Sequence, residues 1–384
     1  MDFISRRRFL YDLAEKGASL ALFAQLPKAG FLGRSKGSKD LVDGKHIFVA
    51  REAMYYKDLG YGMAECQLCP KRCTVADQQR GFCRVRKNLH GKYYTLVHSN
   101  PCAAHIDPIE KKPFFHFLPT TLAFSIATAG CNFVCKFCQN WEIAQSPPER
   151  TNNVYLPPEK LAQYAKKAGC TSVAYTYSEP VIFYEYMLDA SIAAKEAGLK
   201  NVMITNGFIS PEPMEELCRH LDAVKIDLKA FTEEYYKEIC AGQLQPVLDI
   251  LKLLKKIGIW YEIVYLVVPT LNDTDREFED VCTWIAGTLG KDVPVHFSRF
   301  YPNYMLRNLP MTPVRTLERA RAIATKAGLK YVYIGNVPGH EGESTFCPNC
   351  KKVLIRRAGY NVTEYNLNKG KCKFCGEIIP GVWS

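Results

Sequence analysis

The chain has 384 residues, 47% of them hydrophobic and 23% charged, so it can bury a large core and does not have the composition of a disordered protein. No run of 18 apolar residues occurs, which excludes a multi-pass membrane protein. The net charge of +11 divides into +4 on residues 1–45, +5 on residues 347–384 and only +2 between them, so nucleic-acid binding is not required.

The N-terminus carries Arg6 and Arg7 in the run SRRRFL, followed by a moderately apolar stretch at 17–33. This pattern is typical of a twin-arginine export signal. A short amphipathic or disordered leader is the alternative, because Glu15 and Lys16 precede the apolar stretch and no clean Ala-x-Ala cleavage site follows it. We expect residues 1–45 to be a leader and a linker.

Cysteine is unusually abundant: the chain has 16, and 11 of them fall into three tight groups. Closely spaced cysteines in a chain long enough to build its own core indicate metal ligands rather than disulfides. The first group is Cys66, Cys69, Cys73 and Cys83. Four thiolates form a closed site, for which zinc is the simplest occupant and an iron–sulfur cluster is the alternative.

From residue 121 onward, short apolar segments alternate with amphipathic ones. The predicted strands begin near Leu122, Ser172, Val202, Ala223, Trp260, Val295 and Tyr331. The predicted helices include 158–168, 181–198, 211–220 and 276–289, several of which follow a helix-start signal. This alternation predicts a parallel sheet closed into a partial barrel, with a doubly wound sheet as the alternative, and active-site residues at the carboxyl ends of the strands.

The loop after the first of these strands carries Cys131, Cys135 and Cys138 in the spacing C-x3-C-x2-C, with Phe137 before the last cysteine. Three thiolates from one short loop suit a cubane iron–sulfur cluster, and three ligands leave one iron open to another molecule. Zinc is the alternative, but it would need a fourth ligand, and none is obvious nearby in the sequence.

Polar motifs follow the next three strands. They are TYSEP at 176–180, TNG at 205–207 and KIDLK at 225–229. Each alone is typical of a turn or of solvated surface. Their order on successive strands, behind the cysteine triplet, favours one shared site. Weaker candidates at later strand ends are His296, Ser298, Arg299, Asn336 and His340.

The third cysteine group lies near the C-terminus and consists of two C-x2-C pairs separated by 21 residues. Its members are Cys347, Cys350, Cys372 and Cys375. Two such pairs at this separation are typical of a zinc ribbon, which stabilises a small module with little core of its own.

The triplet, with an aromatic residue before its last cysteine, resembles the signature of the radical S-adenosylmethionine (radical SAM) superfamily over about residues 120–338. The resemblance implies a catalytic [4Fe–4S] cluster on Cys131, Cys135 and Cys138, and S-adenosylmethionine (SAM) bound at the open iron. It implies that reduction cleaves SAM to methionine and a 5′-deoxyadenosyl radical, which abstracts hydrogen from a substrate. The cofactor contacts that it implies are Phe137 near the adenine, Ser178, Glu179 near the amino group, Asn206, Asp227, and Lys229 near the carboxylate.

Two narrower resemblances refine this expectation. The TNG and DLK motifs resemble pyruvate formate-lyase-activating enzymes, and the layout of residues 60–384 resembles the radical SAM enzymes of the AmmeMemoRadiSam system. Tyr177 and Ser178 stand where the superfamily commonly has glycines. Ile204 stands where the activating enzymes have an aspartate of a cation site, which counts against glycyl-radical activation.

The sequence therefore predicts an α/β protein. Its core is a partial (β/α)6-type radical SAM barrel at 119–340, between a cysteine-rich module at 46–118 and a zinc-ribbon-like tail at 341–384. We expect an oxidoreductase-like radical SAM enzyme with a [4Fe–4S] cluster, SAM and one or two zinc ions. The alternatives are an activase for a glycyl-radical enzyme and a metal-binding adaptor without catalysis.

The expected partners are an unidentified small-molecule or protein substrate, an electron donor such as flavodoxin or ferredoxin, and the AmmeMemoRadiSam companion proteins. No transmembrane span is expected beyond the leader. The compartment stays open. SAM and low-potential reductants favour the cytoplasm, whereas the twin-arginine-like pattern favours export, and a start at Met54 would remove that pattern.

Overall fold

The computed structural model of the chain describes residues 38–43 and 46–384. Of the predicted leader and linker, residues 1–45, all but 38–43 lie outside this part, and Ser38–Asp43 form a strand. In the described part, no helix has the length and apolar character needed to cross a membrane.

Seven short strands precede the main sheet and build two small antiparallel sheets, ordered β1-β2-β7-β6 and β3-β4-β5. They are β1 (Ser38–Asp43), β2 (His46–Glu52), β3 (Tyr56–Gly60), β4 (Met63–Cys66), β5 (Thr74–Val75), β6 (Arg86–Leu89) and β7 (Lys92–Thr95). These strands determine where the cysteines of the first group lie. Cys66 ends β4, Cys69 and Cys73 lie in the loop to β5, and Cys83 lies in the loop to β6.

The centre of the molecule is an eight-stranded sheet in which seven parallel strands lie side by side in chain order, with an antiparallel strand at one edge. The strands are β8 (Ala103–Pro108, antiparallel), β9 (Leu122–Ala127), β10 (Ser172–Tyr175), β11 (Lys200–Thr205), β12 (Ala223–Asp227), β13 (Trp260–Val267), β14 (Val295–Arg299) and β15 (Val332–Gly335). The predicted strand starts are confirmed to within two residues.

The strand order of this sheet does not reverse, whereas a doubly wound sheet has a switch point at which the order reverses. The order therefore favours the barrel-type arrangement over the doubly wound alternative. The sheet holds seven parallel strands in the described residues, one more than the six of the expected unit count.

Helices connect the parallel strands and cover the sheet. They are α1 (Trp141–Ala144), α2 (Pro158–Lys167), α3 (Tyr184–Glu196), α4 (Pro211–Cys218), α5 (Glu233–Tyr235), α6 (Leu244–Ile257), α7 (Asp275–Trp284) and α8 (Val314–Lys326). The four predicted helices are confirmed, although 3₁₀ turns at Pro180–Phe183 precede α3 and a π-helical turn at Ile285–Leu289 follows α7. The Thr274 hydroxyl accepts the Glu277 N–H (3.2 Å) and so caps the start of α7.

The C-terminal tail is a set of short strands whose buried side chains pack against Phe115, in the segment between β8 and β9, and against Tyr331 and Tyr333 at β15. These strands are β16 (Thr345–Phe346), β17 (Val353–Ala358), β18 (Asn361–Tyr365), β19 (Leu367–Asn368) and β20 (Lys371–Cys372). The buried Arg357 guanidinium donates to the Phe115 carbonyl (2.8 Å), and the Leu118 N–H donates to the Val382 carbonyl (2.7 Å). The tail is therefore joined to the segment between β8 and β9 by its own backbone and side-chain hydrogen bonds.

Candidate active site

The cysteine triplet begins where β9 ends, at the carboxyl edge of the parallel sheet. Gly130, just before Cys131, has a φ of +95°, and a Cβ placed there would lie 2.6 Å from the Cys83 carbonyl oxygen. Glycine is required on both counts, because other residues disfavour this conformation and would collide with that oxygen. The triplet loop therefore lies directly against the N-terminal cysteine group.

The far side of the triplet loop is fixed to the π-helical turn Tyr236–Cys240. Val134 N–H donates to the Cys240 carbonyl (2.9 Å), and Lys136 N–H donates to the Ile239 carbonyl (3.0 Å). These hydrogen bonds on one side and the Gly130–Cys83 contact on the other constrain the backbone of the loop that carries the three thiols.

Cys135 is buried and Cys131 and Cys138 are partly buried, and the surroundings of all three favour the neutral thiol. Burial raises the pKa of Cys138 to about 12 and that of Cys131 well above its ordinary value. A hydrogen bond with Cys240, together with burial, raises the pKa of Cys135 well above the ordinary range. Thiols of this kind become ligands when a metal stabilises the thiolate.

The sulfur atoms of the triplet are not gathered around one point. Within residues 46–384, the C-terminal cysteines are the only group of three or more metal-ligating atoms that all lie within 4.8 Å of one another. A single ion would draw its ligands together, whereas a cubane cluster binds each thiolate at a different iron. The spread of the three sulfurs, and their number, fit a cluster with one open iron.

Glu179, after β10, is held rigidly at the edge of the sheet. Its carboxylate accepts from the Thr205 hydroxyl (2.6 Å), the Val181 N–H (3.1 Å) and the Asn206 N–H (2.8 Å). Burial raises the pKa of Glu179 to about 7 despite these hydrogen bonds, which lower it. The charge of Glu179 in turn raises the pKa of Cys131, so the two groups lie close together.

Tyr177 adopts the conformation for which the expected glycine is suited. Its φ is +64°, in the left-handed region that side chains other than glycine disfavour by about 1–2 kcal/mol. Its hydroxyl donates to Asp107, its ring lies 4.5 Å below the Lys112 ammonium, and its carbonyl accepts from Asn140 (2.8 Å). These contacts offset the strain, so the backbone turn that glycine would give is present here with tyrosine.

The neighbouring Ser178 is buried, and its hydroxyl has no hydrogen-bond partner among the described residues. A buried hydroxyl without a partner carries a desolvation penalty that a bound molecule can remove. Ser178 is therefore available to a ligand at this edge of the sheet.

Asn206, after β11, contacts the protein itself. Its side-chain N–H donates to the Asn132 side chain (2.8 Å), and its side-chain oxygen accepts the Phe208 N–H (2.9 Å). Asn132 in turn donates to the Phe208 carbonyl (2.7 Å). Asn206 therefore positions the triplet loop against the turn that follows β11.

Asp227 at the end of β12 lies between two lysines. Lys225 and Lys229 both donate to its carboxylate, Lys229 at 2.9 Å. Burial would raise the pKa of Asp227, but the two ammonium groups outweigh it and lower the pKa to about 2. One carboxylate between two ammonium groups leaves a surplus of one positive charge in a buried place. This surplus suits an anionic ligand group better than a metal cation.

Phe137 and Lys229 lie close together, with the Lys229 ammonium 5.9 Å from the Phe137 ring centroid. The charges of Lys229 and Asp227 act on the Cys135 thiol, and the charge of Lys229 also acts on Glu179. The structure thus brings together the three cysteines, Phe137, Glu179, Asp227 and Lys229, as the order of the motifs predicts.

The weaker candidates have other roles. His296 is buried and bonded to Glu262 (2.8 Å), near the start of its strand, and His340 contacts Glu318 (3.2 Å). Asn336 donates to the Arg299 carbonyl (3.2 Å), so this pair fixes the turn after β15.

Two residues of the site were not singled out from the sequence. Cys240 contacts the Cys135 thiol although the two are far apart in the chain, and the π-helical turn that brings it there has no distinctive sequence pattern. Lys225 shares Asp227 with Lys229. Its place two residues before Asp227 on the same strand, and hence on the same face, is a signal that could have found it.

The C-terminal cysteines form a compact site. Cys347 and Cys375 have their sulfurs 3.6 Å apart, and Cys350 and Cys372 have theirs 3.7 Å apart. Four thiolates around a zinc ion at about 2.3 Å would be about 3.8 Å apart, so this geometry fits a single tetrahedral ion.

Comparison with known proteins agrees with this site. The model of the radical SAM superfamily matches residues 125–285, which include the triplet. An uncharacterized protein of Methanocaldococcus jannaschii is 46% identical over 331 residues, which is 86% of this chain and 98% of that protein.

Two further likenesses are more distant. A pyruvate formate-lyase-activating enzyme of Clostridium pasteurianum is 26% identical over 159 residues, 41% of this chain and 66% of the enzyme. The crystal structure of Streptococcus suis SuiB bound to S-adenosylmethionine is similar at a TM-score of 0.45 with 15% identity, over 59% of this chain and 53% of that one. The chain belongs to the radical SAM superfamily and is an enzyme of that superfamily.

Proposed function

We propose that the enzyme reductively cleaves SAM to methionine and a 5′-deoxyadenosyl radical, and that this radical abstracts hydrogen from a substrate. The observation that carries the proposal is the convergence of the three thiols of the triplet with Glu179 and Lys229 at one edge of the sheet. One electron and the SAM sulfonium give methionine and the radical, and the radical becomes 5′-deoxyadenosine when it takes the substrate hydrogen.

Cys131, Cys135 and Cys138 would hold a [4Fe–4S] cluster. When bound, this group would supply the electron and an iron with an open coordination position. The burial of the thiols supports this assignment, because it excludes water from a site where a reactive radical must be confined. As a cluster ligand Cys135 would carry no proton, so its hydrogen bond with Cys240 would then be donated by the Cys240 S–H, which would bias the reduction potential of the site.

The remaining residues would bind SAM by charge and shape. Glu179, held by three hydrogen bonds, would accept from the amino group of the methionine portion. Lys229, with the surplus charge of the Lys225–Asp227–Lys229 cluster, would bind the carboxylate. Phe137 would lie against the adenine, and the unpartnered Ser178 hydroxyl would bond to a polar group of SAM. Asn206 would act as a positioning residue through Asn132.

The layout of the chain is also part of the proposal. Residues 46–118 would form a cysteine-rich module, 119–340 the catalytic barrel and 341–384 a zinc-binding tail. A reduced flavodoxin or ferredoxin would deliver the electron, and the substrate is a small molecule or a protein.

The test is the cleavage of SAM by anaerobically reconstituted protein reduced with dithionite. We expect 5′-deoxyadenosine and methionine, and we expect Cys135→Ala to reduce 5′-deoxyadenosine to the level of a protein-free control. Cys282→Ala is the matched control, because Cys282 is a buried cysteine of α7 outside the three groups. A wild-type protein with a full triplet cluster that does not cleave SAM would refute the proposal.

Activation of a glycyl-radical enzyme is the second candidate, favoured by the likeness to the Clostridium pasteurianum enzyme. Ile204 and the two lysines on Asp227 count against a cation site of the activase kind. Electron paramagnetic resonance of a candidate partner after incubation with enzyme and SAM distinguishes the two, since only an activase leaves a stable glycyl radical.

A further inference from the structure

The N-terminal cysteines surround a cavity of their own. Cys66, Cys69, Cys73 and Cys83 all line it, together with neighbouring side chains that include Lys71, Phe82, Arg86, Tyr93 and Asn132. Three of the four cysteines are buried, and Cys73 is partly exposed. The four thiols therefore form one group around one space.

The sulfur atoms of this group are farther apart than those of a zinc site. Around zinc they would be about 3.8 Å apart, as in the C-terminal group. No three ligand atoms of the N-terminal group lie within 4.8 Å of one another, although the structure describes all four residues. The triplet also fails this criterion, so both the N-terminal group and the triplet are more widely spaced than the C-terminal group.

Two polar groups in the wall of the cavity have no partner. The Tyr93 hydroxyl and the Arg86 Nε are buried and lack any hydrogen-bond partner among the described residues. Other donors already face the sulfurs, since Arg86 Nη1 lies 3.8 Å from the Cys66 sulfur and the Phe82 N–H donates to Cys73 (3.5 Å). Four thiolates around one zinc ion bring no further acceptor, whereas a cluster brings inorganic sulfides that can accept from Tyr93 and Arg86.

From these observations we propose that Cys66, Cys69, Cys73 and Cys83 bind a second [4Fe–4S] cluster. Four thiolates leave no open iron, so this cluster would carry electrons and would not bind SAM. Zinc, the simpler occupant on chain spacing alone, fits the sulfur spread and the unpartnered wall groups less well.

The position of this site suits an electron carrier. Asn132 of the triplet loop lines the cavity, and Gly130 lies against the Cys83 carbonyl. On the outer side, Phe82 is 37% exposed and the Lys71 ammonium lies 4.2 Å from its ring. An electron from a low-potential one-electron donor protein could enter at this face and pass to the triplet site. This role rests on the proposed function, whereas the metal content of the site does not.

The experiment is metal and sulfide analysis of anaerobically purified full-length protein in which Cys131, Cys135 and Cys138 are all replaced by alanine. We expect about four irons, about four sulfides and about one zinc per chain, with an electron paramagnetic resonance signal after reduction. About two zincs with only trace iron would overturn the proposal. Because this protein lacks the triplet, the result is independent of whether the wild type cleaves SAM.

If the triple variant does not fold, two other proteins provide the test: the wild type, and a variant that lacks N-terminal cysteines instead of the triplet. The wild type should hold about eight irons and one zinc, where four irons and two zincs would contradict the proposal. Cys69→Ala combined with Cys73→Ala should lose about half of the iron and keep the zinc, and Cys282→Ala should lose neither. Loss of zinc from the double variant, with its iron intact, would likewise contradict the proposal.

Discussion

The two four-cysteine groups have the same ligands but hold them in different ways. In the C-terminal group, two C-x2-C pairs 21 residues apart face each other, and paired sulfurs lie 3.6 and 3.7 Å apart. In the N-terminal group, Cys66 ends β4, Cys69 and Cys73 come from the loop after it, Cys83 comes from the next loop, and the sulfurs are spread around a cavity. The number of thiolates therefore says less about the metal than the distances between their sulfurs.

The two groups also differ in how exposed they are and in what surrounds them. Cys375 is exposed, and the C-terminal group joins the short strands of a tail. The N-terminal group is enclosed by a buried arginine and a buried tyrosine and shares a wall with the triplet loop. This contrast is consistent with the two proposals, a stabilising zinc ion at the tail and an electron-carrying cluster at the N-terminal module.

The largest expected effect separates the tail from the active site. Cys350→Ala should lose the C-terminal zinc almost completely and lower the stability of the tail, because binding energy of a structural zinc is folding energy. Cleavage of SAM to 5′-deoxyadenosine should continue. Zinc analysis, hydrogen exchange of residues 345–383 and the cleavage assay measure the three outcomes. Lys352→Ala, which keeps all four thiols, is the control, and loss of iron from Cys350→Ala would contradict the division of roles.

The next prediction concerns SAM binding at the triplet, whose three thiolates would leave one iron open, unlike the two groups of four cysteines. Lys229→Met should raise the KM for SAM about tenfold to a hundredfold, since a lost hydrogen bond to a charged group costs about 1.5–3 kcal/mol. The iron content should not change. Lys200→Met is the control. Lys200 lies at the amino end of β11, away from the carboxyl edge that carries the candidate site, and it pairs with Asp222. An unchanged KM in Lys229→Met would remove this lysine from the SAM site.

A pH-dependent effect tests how the tail is attached. His116 Nδ1–H donates to the Pro380 carbonyl (2.7 Å), and its Nε2 accepts from the Tyr333 hydroxyl (2.5 Å). Burial lowers the pKa of His116 to about 4, against 6.5 for an ordinary histidine. The unfolded chain therefore binds the additional proton first, so the stability from neutral His116 is complete above pH 6.5 and is lost as the pH falls toward 4.

The expected loss at pH 5 is on the order of 2 kcal/mol from this group. Chemical unfolding of the wild type and of His116→Gln at pH 7.5 and 5 measures it, because the glutamine cannot titrate. The difference in unfolding free energy between the two proteins should shrink at pH 5. Parallel pH profiles of the two proteins would show that His116 does not contribute in this way.

The smallest effect concerns the wall of the N-terminal cavity. Tyr93→Phe removes only a hydroxyl, so we expect the same iron content as the wild type and a modest decrease in reduction potential, because hydrogen bonds to cluster sulfurs favour the reduced state. A redox titration followed by electron paramagnetic resonance measures the shift. A potential equal to that of the wild type would mean that the hydroxyl does not face the cluster.

Much of the barrel could be predicted because its signals are local. Leu122, Ser172 and Trp260 begin apolar runs, and their strands lie where those runs predict. The site also followed from topology, since parallel strands bring Glu179 and Lys229 to the same edge. The ligand sets, the SAM contacts and the domain boundaries remain predictions.

Other features depend on contacts between distant segments. Cys240 reaches Cys135 only through a π-helical turn, and Tyr93 reaches the cysteine cavity from β7. The metal at Cys66 to Cys83 could not be chosen from the spacing, because the chain spacing of thiolates does not give their separation in space. The strain at Tyr177 is likewise offset by Asp107 and Lys112, which lie 70 and 65 residues away in the chain.

The glycine before the triplet has a consequence for how the enzyme is assembled and how it evolves. Because Gly130 lies against the Cys83 carbonyl, we expect the triplet loop to reach its final conformation only when the N-terminal module is in place. The N-terminal module is therefore expected to help determine the conformation of the active-site loop, so a different module could not simply replace it. A change in the loop that carries Cys83 would alter catalysis without touching a catalytic residue, so these two loops should vary together.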